Sequence, residues 1–510
     1  MIPKTRSGPI VAVLSVLIAA VPVAAQSQAM TLEEAISLAR RNNPQYRQIA
    51  NDETDADWGV RQAYTAFLPS LSLGTGFSYQ AGGTPRVGNL SAAEFGLGAT
   101  PATYTSDYGV RMSVGISGRD FAEVSRAKAN QRAVEARIES AAYDLETQVT
   151  AQYLAAVRAR DLVLIAKSAL ETVAGAYDLA DARYAAGAAT RLDVTQAQVD
   201  RGRAEVALIQ AENAYDIERL RLSQQIGVEL DPATALTSTF PVFEPQWTLE
   251  ELTAMALEAH PRLIAARQAE SAARTASRQS FLDYLPSLSF SGSWSGYVRK
   301  VGSDTYLIDQ ARQSAENQME NCEFLNNISA GLSTPLPGRP ADCAGMVITQ
   351  ADEDRIISNN SLFPFNYTSS PAYFSMSISF PVLTGFSRER SLAAAKAAAT
   401  DAEYQRRGEE LARRTEVAAN LRSLQTAHRT VQIEVSNAAA AAEQLEIATE
   451  RYRLGAGCGG SATGGLCTTY QELTQAQERK ARADQAHLAA LYSFHEALAM
   501  LEAAVGRTLR

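Results

Sequence analysis

After residue 25 the 510-residue chain has no run of 18 apolar residues, which excludes a membrane-spanning helix of ordinary composition. There is no basic surplus either. Lys and Arg total 47 against 56 Asp and Glu, a formal net charge of -9, so a nucleic-acid binder is not expected. Four Cys and four His are too few for a multi-zinc protein. No Gly-rich phosphate loop, nucleophile elbow or HExxH motif is present, so neither an enzyme nor a cofactor is expected. Aromatics are only 7% of the chain, while alanine is abundant, which favours closely packed helices over a β-sandwich. Proline, the strongest helix breaker, is missing from 102–231 and again from 382–510.

The apolar content that does exist is arranged in a few distinct ways. Lys4 and Arg6 precede an apolar run from Ile10 to Val23 and a small-residue site at Val23-Ala24-Ala25. Residues 1–25 therefore read as an export signal, with an uncleaved anchor as the alternative. Beyond it the chain repeats itself. Residues 31–72 align with 248–289 without a gap, sharing 15 of 42 positions, including Thr-Leu-Glu-Glu and Leu-Pro-Ser-Leu-Ser. Arg183-Tyr184 matches Arg451-Tyr452, and Thr195-Gln196-Ala197-Gln198 matches Thr474-Gln475-Ala476-Gln477. The offset grows along the chain, so the second copy carries two insertions, which belong in loops. The copies span 26–243 and 244–510, joined through the proline-bearing segment 229–247.

Each proline-free run predicts one very long helix, at about 119–186 and 387–454. A tip follows at 187–192 and 455–468, then a return helix at 192–226 and 468–505. Val163, Ala166, Leu170, Val173, Tyr177, Ala180 and Tyr184 alternate in steps of three and four, a heptad seam. Shorter helices are expected at 31–43, 45–66, 248–260 and 262–283. Four segments, at about 70–80, 106–117, 287–298 and 373–382, alternate apolar residues with Ser and Gly. Nine or ten residues is the length a tilted strand needs to cross a bilayer. Four strands cannot close a barrel, and open edges in lipid are prohibitive, so the strands must be pooled with those of sister copies. The competing structural reading is an exported coiled-coil tether with no channel. The segment 299–372, rich in Asn, Ser and Pro, reads as a long loop between the third and fourth strands.

The doubled opening motif, the Leu-Pro-Ser-Leu-Ser start of each first strand and the Arg-Tyr-x-x-Gly turns resemble the TolC-like outer membrane efflux proteins, over the whole chain beyond the signal. The resemblance implies a mixed α/β membrane protein, internally duplicated and trimeric. Twelve strands, four from each copy, would cross the outer membrane, and a helical barrel would cross the periplasm. A periplasmic adaptor protein and an inner-membrane transporter would dock at the tips. It implies a gate as well: Asp193 of the first tip bonded to Tyr452 of the second, with Glu472 and Gln475 at the entrance. The position where relatives carry an assisting Arg falls at about Gly457. Tyr184, Gly187, Leu192 and Gly455 take the adaptor-facing places. Asp193 is alternatively a helix N-terminal stabiliser. Cys322 and Cys343 fall in the long loop, and Cys458 and Cys467 bracket the second tip insertion. Two local disulfides are expected, since no His neighbours either pair to favour a metal.

Overall fold

The computed structural model describes residues 29–84, 86–91, 98–231, 233–238, 240–334, 337, 342–361, 363–454 and 469–509. The expected export signal (1–25), Gly455, Cys458 and Cys467 lie outside the described residues. The chain divides into a helical unit (1–56, 130–271, 400–510) and a strand-bearing unit (57–129, 272–399).

In chain order the helices are α1 (Leu32–Asn42), α2 (Pro44–Ala50), α3 (Asp52–Thr65), α4 (Gly118–Ala185), α5 (Arg191–Ile226), α6 (Leu249–Ala259), α7 (Pro261–Phe281), α8 (Asp304–Ala330), α9 (Gln350–Asn360), α10 (Ser387–Leu454) and α11 (Tyr470–Val505). Three pairs of segments that the sequence aligns fold into helices of equal length. α4 and α10 have 68 residues each, α5 and α11 have 36, and α1 and α6 have 11. At 1.5 Å per residue, α4 and α10 are each about 100 Å long. Their starts and stops follow from local chemistry. Thr31 and Thr248 open α1 and α6 with capping boxes closed by Glu34 and Glu251. Gly227 and Gly506 close α5 and α11 in the left-handed region, at φ 82° and 84°. The segment expected as one helix over 45–66 is instead broken at Asn51, between α2 and α3.

Two of the three cores described in the helical unit are built alike. One joins Ala35 and Ala39 of α1 to Val149, Tyr153 and Leu154 of α4 and to Leu222 and Ile226 of α5. The other joins Leu252 and Ala256 of α6 to Val417, Leu421 and Leu424 of α10 and to Phe494, Leu498 and Leu501 of α11. α11 is the most apolar of the long helices described. By length and hydropathy it is apolar enough to cross a membrane, yet half of its most apolar stretch is buried in the protein. Its apolar residues supply the second core.

The strand-bearing unit holds four antiparallel strands, β1 (Ser70–Gln80), β2 (Thr103–Ser117), β3 (Ser287–Val301) and β4 (Tyr373–Ser379), side by side in that order; β4 has 7 residues and ends at Ser379, short of the expected 382. Their register aligns the alternation across the sheet. One row reads Leu73, Val110, Trp294, and another Ile116, Leu288, Ile378. On the opposite face Ser70, Ser113, Ser291 and Ser375 stand in a single row. The hydroxyls of Ser70 and Ser113 are 2.8 Å apart and those of Ser291 and Ser375 are 2.7 Å apart. The apolar face is uncovered: Leu73, Phe374, Met376 and Ile378 are all exposed, Leu73 by 77%. Among the described residues, β1 pairs only with β2 and β4 only with β3, which leaves two open edges.

The segment 299–372 is not a plain loop. β3 continues to Val301, and α8 and α9 follow. Ile308, Ala311, Ala315, Met319 and Cys322 recur at helical spacing along the better-covered face of α8. Ser303 caps α8, and Thr349 caps α9 with Asp352. The Asn, Ser and Pro content of the segment outweighed this periodic signal in the sequence reading. Cys322 and Cys343 form a disulfide, Cα to Cα 5.8 Å. Asn360 clamps α9 to the end of β3, accepting from the Val301 N–H at 2.7 Å and donating to its carbonyl at 2.9 Å.

Candidate functional site

At the first tip α4 ends at Ala185, and the chain reverses through Gly187, whose φ of 77° favours a residue without Cβ. The Ala188 N–H donates back to the Arg183 carbonyl at 2.7 Å. α5 then starts behind Thr190. Its hydroxyl accepts from the Asp193 N–H at 3.3 Å, while the Asp193 carboxylate accepts from the Thr190 N–H at 2.8 Å and hydroxyl at 2.9 Å. Asp193 is thus committed to a capping box of its own helix, the alternative that the sequence left open. The bond expected between Asp193 and Tyr452 is not formed. A carboxylate three residues into a helix finds the N-cap donors closer at hand than a side chain on another element.

Tyr452 lies near the end of α10 and is buried to 3% exposure. It packs with Ala176 and Ala180 of α4, Ala197 of α5, and Tyr470 and Leu473 of α11. The small alanines let the ring in. The Tyr452 and Tyr470 rings meet edge to face at 6.0 Å, and the Tyr470 hydroxyl donates to Asp200 at 3.4 Å. Over the other side of Tyr452 lies the Arg183 guanidinium, 4.4 Å from the ring centroid. Burial holds the Tyr452 hydroxyl above the ordinary tyrosine range; the positive Arg183 opposes that shift and the negative Asp193 adds to it. Burial also pushes Tyr470 up to about 12.

The heptad seam behaves differently in the two copies. Ala180 is fully buried, but Tyr184, one step further, is 45% exposed, whereas Tyr452 at the matching position is inside. Tyr184, Gly187 and Leu192 therefore present themselves to solvent at the first tip, as does Leu454 at the end of α10. Glu472 and Gln475, on the first turns of α11, line a groove of about 410 Å³ together with Glu443, Gln444, Arg451 and Arg479. Glu472 also donates its N–H to the Thr469 cap at 3.4 Å. Among the described residues no group of His, Cys, Asp and Glu is arranged to hold a metal ion. Sequence reasoning singled out Tyr452 but not its cover. Arg183 was visible only as one half of a repeated Arg-Tyr pair, and nothing in a one-dimensional repeat says that it reaches the Tyr of the other copy.

Comparison with known proteins bears on what these features amount to. No functionally curated protein matches the chain by sequence. Solved structures do match in fold. The Campylobacter jejuni CmeC outer membrane channel is 15% identical, with 93% of this chain and 85% of that chain covered and a TM-score of 0.66. The open-state MtrE outer membrane channel of Neisseria gonorrhoeae is 17% identical over 94% and 89%, TM-score 0.63. The outer membrane protein VceC of Vibrio cholerae is 17% identical over 94% and 97%, TM-score 0.61. The sequence profile of the outer membrane efflux proteins matches residues 35–228 and 350–507, well over half of the chain. The chain belongs to the outer membrane efflux protein family and is a protein of the outer membrane with a periplasmic extension.

Proposed function

We propose that the protein is the outer membrane channel of a tripartite efflux or type I secretion system. It conducts substrate handed over by an inner-membrane transporter and a periplasmic adaptor protein, and catalyses no reaction. The observation that carries this reading is the sheet: four strands with an uncovered apolar face, a small polar face and two open edges. In lipid each unpaired edge group costs several kcal/mol, so such a sheet is stable only when closed. Three copies give twelve strands, and the Ser and Gly face lines a water-filled lumen. Sister copies and outer membrane lipid are thus the first partners. The internal duplication supplies two similar helical hairpins per copy, which assemble into the periplasmic tunnel.

In this reading the helical tips form the periplasmic entrance. Tyr184, Gly187 and Leu192, with Gly455, receive the adaptor, and Glu472 and Gln475 face the passage. A ring of Glu472 carboxylates, one per copy, favours cations there. Single-channel recording in planar bilayers tests the function. Purified protein is expected to give discrete conductance steps with cation preference, and Glu472→Gln to weaken that preference. A preparation that stays silent at every voltage, in wild type and in tip variants alike, would instead fit the envelope tether.

A further inference from the structure

Among the described residues, Nε and Nη1 of Arg183 and Oη of Tyr452 are buried at the tip without a hydrogen-bond partner. They belong to one contact, since the Arg183 guanidinium lies 4.4 Å over the Tyr452 ring. The remaining nitrogen, Nη2, donates to the Ala188 carbonyl at 3.3 Å and ties Arg183 to the turn at Gly187. One side chain therefore links the turn of the first tip to the last turns of α10. Asp193, the carboxylate that charge alone would select for this arginine, is engaged by Thr190. The repeat offers a comparison within the molecule. Arg451 matches Arg183 but is exposed on the groove, and Tyr184 matches Tyr452 but is exposed as well. Of the two Arg-Tyr pairs, only the crossed combination of Arg183 with Tyr452 makes a buried contact.

We propose that Arg183 is the latch of the closed tip, holding the end of α10 through the face of the Tyr452 ring rather than through its hydroxyl. This deepens the channel reading above and rests on it. A planar guanidinium on an aromatic face is attracted by the ring quadrupole, more strongly where water is excluded. Lysine offers neither the plane nor the stacking. A single contact of this kind holds the resting tip and is small enough for a docking partner to open.

Four variants of the full-length protein in lipid bilayers separate ring from hydroxyl. Arg183→Ala and Tyr452→Leu are expected to shift the open–closed equilibrium toward open by about tenfold, the size of a well-shielded cation–π contact. Combined, they are expected to add little to either alone. Tyr452→Phe, which keeps the ring, is expected to stay as closed as wild type, and Arg183→Lys to restore closure only in part. Hydrogen exchange gives a second readout that does not depend on conduction. Amides of 180–188 and 445–454 are expected to lose protection in Arg183→Ala and Tyr452→Leu, and to keep it in Tyr452→Phe. The latch is overturned if Arg183→Ala leaves both readouts at wild-type values, or if Tyr452→Phe opens the tip as fully as Tyr452→Leu. If neither wild type nor any variant conducts but exchange follows the expected pattern, the Arg183–Tyr452 contact ties the two helix ends together while the channel reading fails, and with it the role of that contact as a gate.

Discussion

His260 and Asn43 stand at matching positions of the two copies and do one job with two chemistries. Asn43 donates its amide to the Gln225 carbonyl at 2.8 Å, fastening the start of α2 to the end of α5. His260 contacts the Ala503 carbonyl through Nε2 at 3.0 Å, fastening the start of α7 to the end of α11. Its Nδ1 accepts the Arg262 N–H at 3.2 Å, so Nε2 carries the proton of a neutral ring. Burial and the nearby Arg413 lower its pKa to about 4, with a smaller contribution from Arg262, against the opposing pull of the Ala503 carbonyl and, less, of Asp144. Tyr143 packs on the ring edge to face, and Glu416 and Glu409 face Arg413. The sign follows from linkage. The unfolded chain takes up the His260 proton near pH 6.5 and the folded chain only near pH 4, so stability falls as pH drops across that window and is flat above it. The loss reaches about 3 kcal/mol per chain. Thermal melting between pH 7.5 and 4 is expected to show this slope, and His260→Asn, which copies the first repeat, to reduce it. An unchanged slope in His260→Asn would assign the pH dependence elsewhere. None of this was legible in the sequence, where His260 is one of four scattered histidines. Its importance comes from a carbonyl 243 positions away. Asp193 was legible only in part: its place at a helix start is local and readable, its distance from Tyr452 is not.

Among the elements, the helices were the most readable, because absence of proline and a seam in steps of three and four are signals carried by consecutive residues. α4 and α10 lie within the two proline-free runs. α8 was hidden by composition, and the break at Asn51 by the lack of any Gly or Pro to mark it. The glycines at helix ends give a two-sided test. At Gly227, φ is 82° and an added Cβ would meet the Asn42 carbonyl oxygen at 2.5 Å. Gly227→Ala is therefore expected to destabilise by more than about 1 kcal/mol. Gly175 sits inside α4 with open space where a Cβ would go. Gly175→Ala is expected to stabilise by about 0.5–1 kcal/mol. Denaturant unfolding of the two variants measures both, and equal effects would mean that neither backbone site matters as described.

For the whole molecule, the decisive property is the sheet's two faces. Their alternation was written in the sequence, but the register that assembles serines into one row and apolar side chains into others became visible only with strand pairing. Ile378, exposed by 72%, is on the apolar face. Ile378→Arg is expected to cost about 2–4 kcal/mol of membrane insertion if it lies near the bilayer centre. Ser377→Arg, one residue away on the face that already carries Arg111, is expected to insert and to shift conductance toward anions. Equal insertion of the two variants in outer membrane fractions would contradict the assignment of faces. The central claim is that the sheet is closed by sister chains in lipid, and native mass spectrometry of the detergent-extracted protein measures it most directly. The account predicts a complex of three chains that survives only with detergent or lipid bound. A monomer that stays soluble without either would contradict it.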